Sequence, residues 1–254
     1  MGGRRAGGLF NCVRLWTLAP RKVFVRTGSL IRSPGRDQVE PIRVRWHGHS
    51  CFEVSGDEVT VVTDPHDGRS IGIQAPKVRA DVVLVSHDHF DHSAVKVVSK
   101  PESRIITDPS PVKIGGLKIR GIETFHDVSE GESRGGNIAF KFILEDVSFC
   151  HLGDLGHELT PKQAKAIGRV DVLFIPVGGV FTIDAAAAWR VIEMVKPAII
   201  VPMHYRVGGL SLSINDISPF LEGADPDCVI KVGNIVEFSK ADLDDEQLVW
   251  IFAL

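Results

Sequence analysis

The chain has 254 residues, 44% of them hydrophobic and 24% charged, which is enough apolar surface to bury a core and excludes a disordered or fibrous protein. No uninterrupted apolar stretch reaches the length of a transmembrane helix, so a membrane-spanning reading is out. The net charge of −3 hides an asymmetry: residues 1–36 carry eight basic groups and no acid, and without them 21 Lys+Arg face 32 Asp+Glu. That balance of −11 disfavours broad attraction to nucleic acid.

The basic leader, residues 1–40, is rich in Gly and Arg and breaks every apolar run with a charge, so it reads as a flexible extension ahead of a domain spanning 41–254. Arg14 interrupts the one apolar stretch, Leu9 to Leu18, that could centre a secretory signal. An acid-poor, Arg-bearing leader also suits organellar import, which is the alternative to a cytoplasmic protein. Cys12, Cys51, Cys150 and Cys228 form no CxxC pair, so neither a disulfide framework nor a zinc finger is signalled, and a reducing compartment fits.

From Pro41 the texture changes to short β-rich runs punctuated by Gly, Pro and Asp. Strands are expected over Ile42–Trp46, Cys51–Val54, Val59–Thr63, Asp81–Val85 and Arg104–Thr107. Further strands follow over Leu117–Ile119, Ile138–Leu144, Val147–Cys150, Val170–Ile175 and Ala198–Val201. A helix is expected to begin at Thr160, with Pro161 in its first turn, Gln163 completing a capping box and Gly168 ending it. Another follows Thr182, where Ala185, Ala188, Trp189, Ile192 and Val195 recur at helical spacing up to Pro197. Strands of both halves are followed by helices, which predicts layered sheets covered by helices.

The ten histidines are not spread like core residues; most fall just after predicted strands. The densest group, Ser86-His87-Asp88-His89-Phe90-Asp91-His92, leaves the apolar strand Val82–Val85. Alternate residues of an extended segment share a side, so His87 and His89 can face one point. Asp91 and His92 come where the chain must turn into a helix capped by Ser93, and can face a neighbouring point. One histidine at a strand end is ordinarily a hydrogen-bonded surface residue. Three with two aspartates in six residues concentrate charge that a cation neutralises. Imidazole and carboxylate suit zinc, manganese or iron, and no thiolate forces a closed structural zinc site.

His87-Asp88-His89-Phe90-Asp91-His92 resembles the HxHxDH signature of the metallo-β-lactamase superfamily. Glu123-Thr124-Phe125-His126, His151-Leu152-Gly153-Asp154 and Pro202-Met203-His204-Tyr205 follow in that superfamily's order. Trp46-His47-Gly48-His49-Ser50-Cys51-Phe52 and Thr63-Asp64-Pro65 resemble the branch related to L-ascorbate-6-phosphate lactonase, and the similarity spans Ile42 to Leu254. The resemblance implies an α/β fold, the αββα four-layer sandwich, with two divalent metal ions at one edge of its sheets. It assigns His87, His89 and His126 to one ion and Asp91, His92 and His204 to the other, with Asp154 between them.

Around these, Asp64 and His49 are expected to accept or share hydrogen bonds with metal-bound groups and so fix their orientation. His47, Asp88, Asp127, His151 and His157 are expected in supporting or structural roles. Tyr205 either donates to a substrate oxygen or packs, and Gly178-Gly179 with Thr182-Ile183-Asp184 either shape a rim or permit a bend.

The implied activity is hydrolysis of a small ester, lactone or phosphoester by a hydroxide shared between the metals, with Asp91 and Asp154 orienting it. Zinc is the first choice of metal, manganese or iron the alternatives. No GxxxxGK loop or dinucleotide fingerprint points to a nucleotide-dependent enzyme. An iron-dependent redox enzyme on the same fold, or a non-catalytic metal-binding module, are the competing readings. The partner expected is a small-molecule substrate, with no membrane and no nucleic acid; the oligomeric state stays open.

Overall fold

A computed structural model describes residues 41–243 and 246–254, and the basic leader lies outside these described residues. The elements are β1 (Ile42–Trp46), β2 (Phe52–Ser55), β3 (Thr60–Thr63), β4 (Ala80–Leu84), α1 (Val95–Val98), β5 (Ser99–Ile106), β6 (Val112–Ile114), β7 (Leu117–Phe125) and β8 (Gly136–Leu144). They continue with β9 (Val147–His151), α2 (Pro161–Ile167), β10 (Val172–Pro176), α3 (Ala185–Val195), β11 (Ile199–Met203), α4 (Ser218–Leu221), β12 (Val229–Lys231), β13 (Ile235–Phe238) and β14 (Leu248–Ile251).

The strands form two mixed sheets, ordered β13-β1-β2-β3-β4-β5 and β12-β14-β11-β10-β9-β8-β7-β6. They pack face to face: Phe52 of the first meets Phe174 of the second at 4.4 Å between ring centroids. Period-two alternation decides what each strand buries. Val61, Val82 and Leu84 enter the core between the sheets. Val62, Val83 and Val85 face the other way, into a smaller cluster with Val98 and with Val95 and Val97 of α1. Strands β10 and β11 are buried at every residue, as strands covered on both faces must be. Helix α3 sends Ala187, Ala188, Val191, Ile192 and Val195 into the main core, and α2 packs on β7. Helices thus lie outside both sheets, which is the four-layer α/β sandwich expected.

Local signals decide the helix ends. Thr160 accepts the Gln163 N–H at 3.2 Å while the Thr160 N–H donates to Gln163 Oε1 at 2.9 Å, the reciprocal capping box. Helix α3 is capped by Asp184, which accepts from the Ala187 N–H at 2.8 Å, and it ends at Lys196, just before Pro197. The expected cap on α1 is corrected. Ser93 turns back instead, its hydroxyl donating to the His89 carbonyl at 2.8 Å, and no side chain caps that helix.

Other differences concern extent. β5 and β7 run longer than their apolar stretches: in β7 the charged Lys118, Arg120 and Glu123 occupy exposed positions between buried ones, and β5 is exposed or half-buried up to its last residue. Strands β6, β12, β13 and β14 lie outside the expected set; they are three or four residues long and pair with neighbours distant in the chain or across a tight turn. The C-terminal segment serves both sheets, β13 pairing antiparallel with β1 and β14 parallel with β11. Among the described residues, no helix is long and apolar enough to cross a membrane.

Candidate metal centre

The site is assembled where strands end. Asp64 follows β3, His87 to His92 follow β4, His126 follows β7, Asp154 follows β9 and His204 follows β11, while His49 sits in the turn between β1 and β2. These strands of the two facing sheets release their chains at a common edge. The sheets are stitched there directly: the His204 N–H donates to the His49 carbonyl at 3.3 Å, and His151 Nε2 donates to the Ser50 carbonyl at 2.9 Å. His49 at φ 54°, His204 at φ 54° and Asp64 at φ 38° all adopt left-handed backbone, uncommon for non-glycine residues.

Donor atoms converge in three overlapping groups, one of them Asp64, His87 and His92. His87, His89 and His126 can offer atoms within 4.8 Å of one another, and so can His49, Asp91, His92 and His204. Asp154 stands between the groups. Its Oδ2 lies 3.2 Å from Nε2 of His92, 3.2 Å from that of His204, 3.3 Å from that of His126 and 3.9 Å from that of His87. His49 differs from its expected supporting place, since its Nε2 is 3.1 Å from Asp91 Oδ2 and it joins the second group as a fourth candidate donor.

Behind these side chains a hydrogen-bond network sets which nitrogen faces inward. Asp64 accepts the Ser86 hydroxyl at 2.6 Å and the His92 Nδ1–H at 3.1 Å. With its proton committed to a carboxylate, the Ser86 hydroxyl accepts from His87 Nδ1–H, 2.9 Å away. Both imidazoles therefore turn Nε2 toward Asp154. His151, fixed by Ser50, presents Nδ1 3.8 Å from Asp64 and is itself a member of none of the donor groups.

The GD turn needs its glycine. Gly153 has φ 56°, and a Cβ there would sit 2.3 Å from Asn137 Oδ1. That same oxygen accepts the Asp154 N–H at 3.0 Å, while the Asn137 amide donates to Thr124 Oγ1 and the Leu152 carbonyl. Gly178 lets the loop after β10 close on His204, whose carbonyl oxygen would be 2.1 Å from an added Cβ.

Electrostatics follow from burial and crowding. Burial, with His204 next to it, pushes the His49 imidazole down to about 3, and burial with His92 nearby does the same to His87. Burial opposes charge on Asp154, but the imidazoles of His204 and His92 hold its carboxyl well below the usual range. Burial likewise opposes charge on His92, and the carboxylates of Asp154, Asp64 and Asp91 drive it well above the usual imidazole value. Asp154 Oδ1 and His92 Nε2 are buried without a hydrogen-bond partner. Ionised carboxylates, mostly neutral imidazoles and orphaned inward-facing atoms form a donor set that divalent cations fit.

The remaining expected residues are sorted by contact. Tyr205 is buried in the core, its ring stacked on Trp46 at 5.5 Å between centroids. His47 pairs with Glu53 at 3.0 Å; His157 accepts from the Phe125 N–H and bonds the Glu158 carbonyl. Asp88 is exposed, and Asp127 organises the loop that follows His126. Sequence reasoning missed Asn137, Ser86 and His66. Ser86 was adjacent to the cluster, whereas Asn137 stands 17 residues from the turn it supports. His66, with its Nε2 on the His47 carbonyl, is buried beneath the same edge.

The β-lactamase superfamily domain profile matches residues 43–204. A UPF0173 metal-dependent hydrolase of Thermoplasma acidophilum is 27% identical over 190 residues, 66% of this chain and 84% of that relative. One from Methanopyrus kandleri is 27% identical over 193 residues, 65% and 84% of the two chains. Among solved structures, a candidate zinc-dependent hydrolase of the metallo-β-lactamase superfamily from Thermotoga maritima is 38% identical, covers 83% of this chain and 98% of its own, and superposes with a TM-score of 0.69. A Parabacteroides distasonis protein at 17% identity, covering 73% and 89%, shares the fold with a TM-score of 0.58. The family match, the two-sheet sandwich and the convergent histidines and aspartates together make this chain a member of the metallo-β-lactamase superfamily, among its metal-dependent hydrolases.

Proposed function

We propose that the protein is a dinuclear hydrolase holding two divalent cations, zinc first among them, and acting on a small ester, lactone or phosphoester. His87, His89 and His126 would hold one ion, Asp91, His92 and His204 the other, and Asp154 would serve both. The observation that carries this reading is the position of Asp154 Oδ2, within 3.2–3.9 Å of four imidazole nitrogens drawn from both groups. When bound, such a pair of ions supplies Lewis acidity and lowers the pKa of water toward neutrality.

The chain's own residues supply orientation. Asp64 and Ser86 turn Nε2 of His92 and His87 inward, where the charged His92 would give up its second proton to hold a cation, and the Asp91 and Asp154 carboxylates would accept hydrogen bonds from the attacking water. Cys51 and Cys150 are free and buried, which supports a cytoplasmic setting.

The test is metal analysis of protein purified without added ions, followed by assay on lactones, carboxylic esters and phosphodiesters. Two ions per chain are expected, with turnover abolished by chelation and reduced more than about a hundredfold in Asp154→Asn while circular dichroism is unchanged. A single ion per chain, or turnover indifferent to chelator, would overturn the reading.

A further inference from the structure

Few large apolar side chains of the described residues are exposed, and three of them stand on the loops that carry the metal centre: Phe90 at 60%, Val128 at 82% and Val180 at 59%. Phe90 lies between His89 and Asp91; Val128 comes two residues after His126; Val180 follows Gly178-Gly179, which closes on His204. The loops are neighbours. The rings of His89 and His126 are 5.0 Å apart, and the Arg134 guanidinium lies 4.7 Å from the ring centroid of Phe181, joining the second loop to the third.

These exposures are built into the loops. Asp127 accepts the backbone N–H groups of Ser129, Gly131, Ser133 and Arg134 at 2.7–3.0 Å, so the loop presenting Val128 is braced from within. The His89 carbonyl accepts from both the N–H and the hydroxyl of Ser93, closing the turn that presents Phe90. Val180 has φ 61°, a left-handed conformation that is strained for a β-branched residue. Beyond it, Phe181 joins an apolar patch with Ile71, Leu210 and Ile214, which extends the apolar ground on that side. Exposed apolar groups held by rigid, partly strained loops beside a polar centre are the composition of a ligand-binding mouth.

We propose that Phe90, Val128 and Val180 form an apolar rim that receives the hydrocarbon chain of an acyl substrate, a carboxylic ester or lactone bearing several methylenes, while its carbonyl enters the polar centre. This rests on the hydrolytic reading above and narrows it away from short, wholly polar phosphoesters.

The test uses the full-length, zinc-loaded protein and calorimetric titration with acetate, butanoate, hexanoate and octanoate, whose carboxylates probe the centre and whose chains probe the rim. Affinity should rise up to about fourfold per methylene. In Phe90→Ser and, separately, Val128→Ser, the acetate affinity should be retained and the chain-length gain should fall. Val128→Ser lies outside the tight ligand turn, so it remains informative if the Phe90 variant disturbs its neighbours. Octanoate binding no tighter than acetate, no binding of either, or a chain-length gain that persists in both variants overturns the rim. The metal content of the same samples reports separately on the dinuclear reading: two ions per chain with no chain-length gain would sink the rim alone.

Discussion

Asp64 grips Ser86 with both carboxylate oxygens, accepting its N–H at 2.7 Å on Oδ1 and its hydroxyl at 2.6 Å on Oδ2. One carboxylate thereby fixes the start of the ligand loop and, through Ser86 and His92, the orientation of two imidazoles. Asp64→Asn replaces an acceptor with an amide that must present two protons on one side. Cation affinity should fall about 10- to 100-fold, measured by competition with a fluorescent chelator, with the fold retained by circular dichroism. Unchanged affinity would show that the His92 and His87 orientations do not depend on Asp64.

Gly153→Ala combines a left-handed backbone position with a collision against Asn137 Oδ1 and the Ser86 side chain. Both neighbours are engaged in hydrogen bonds and cannot yield without breaking them. A loss of about 1–3 kcal/mol is expected in urea denaturation of the metal-free protein. A change below about 0.5 kcal/mol would mean that the turn adapts.

Cys150 is buried on β9, and burial pushes its thiol up to about 12 despite the opposing pull of Lys141. The reactive species is the thiolate, so at pH 8 the folded protein presents almost none of it. In a Cys12→Ser, Cys228→Ser background, a thiol-specific chromogenic reagent should report no fast-reacting group until denaturant is added, when two thiols should react. Rapid labelling of one thiol in buffer would place a described cysteine within reach of solvent.

Asp171 links β9 to the start of β10. It accepts from the Ser148 N–H and hydroxyl, each at 2.8 Å, and pairs with Lys240 at 2.6 Å. Burial opposes its charge, but Lys240 and Ser148 outweigh it and hold the carboxyl below the ordinary value. Because the folded-state pKa is depressed, this stabilisation is complete above the unfolded carboxylate value of about 4 and disappears as pH falls through the lower folded value. Asp171→Asn should lower the urea midpoint at pH 7, and the gap from the parent protein should narrow steadily below pH 4. A gap independent of pH would assign the effect to lost packing.

Much of the architecture was legible because it is local. Thr160 and Gln163 lie three residues apart, so their reciprocal cap can be seen in the letters, and the apolar runs of β4, β8, β9 and β10 are long enough to show burial. The strands that escaped, β6 and β12 to β14, hold three or four residues and pair with partners distant in the chain or across a tight turn.

The sequence by itself determined the histidine and aspartate cluster after β4 and the layered α/β class, both matters of residue type and periodicity, whereas His126, Asp154 and His204 are marked out only by the resemblance to the metallo-β-lactamase superfamily. The tertiary structure alone decided that His49 joins the second donor group, that Asn137 and Ser86 hold the turn and the ligand loop, and that Tyr205 belongs to the core. It also placed Phe90, Val128 and Val180 on adjoining loops. Those outcomes depend on which strand ends two facing sheets bring to one edge, and hydrogen bonds such as His204 to His49 form between residues 155 positions apart. Periodicity tells which face a side chain takes; only packing tells what lies opposite.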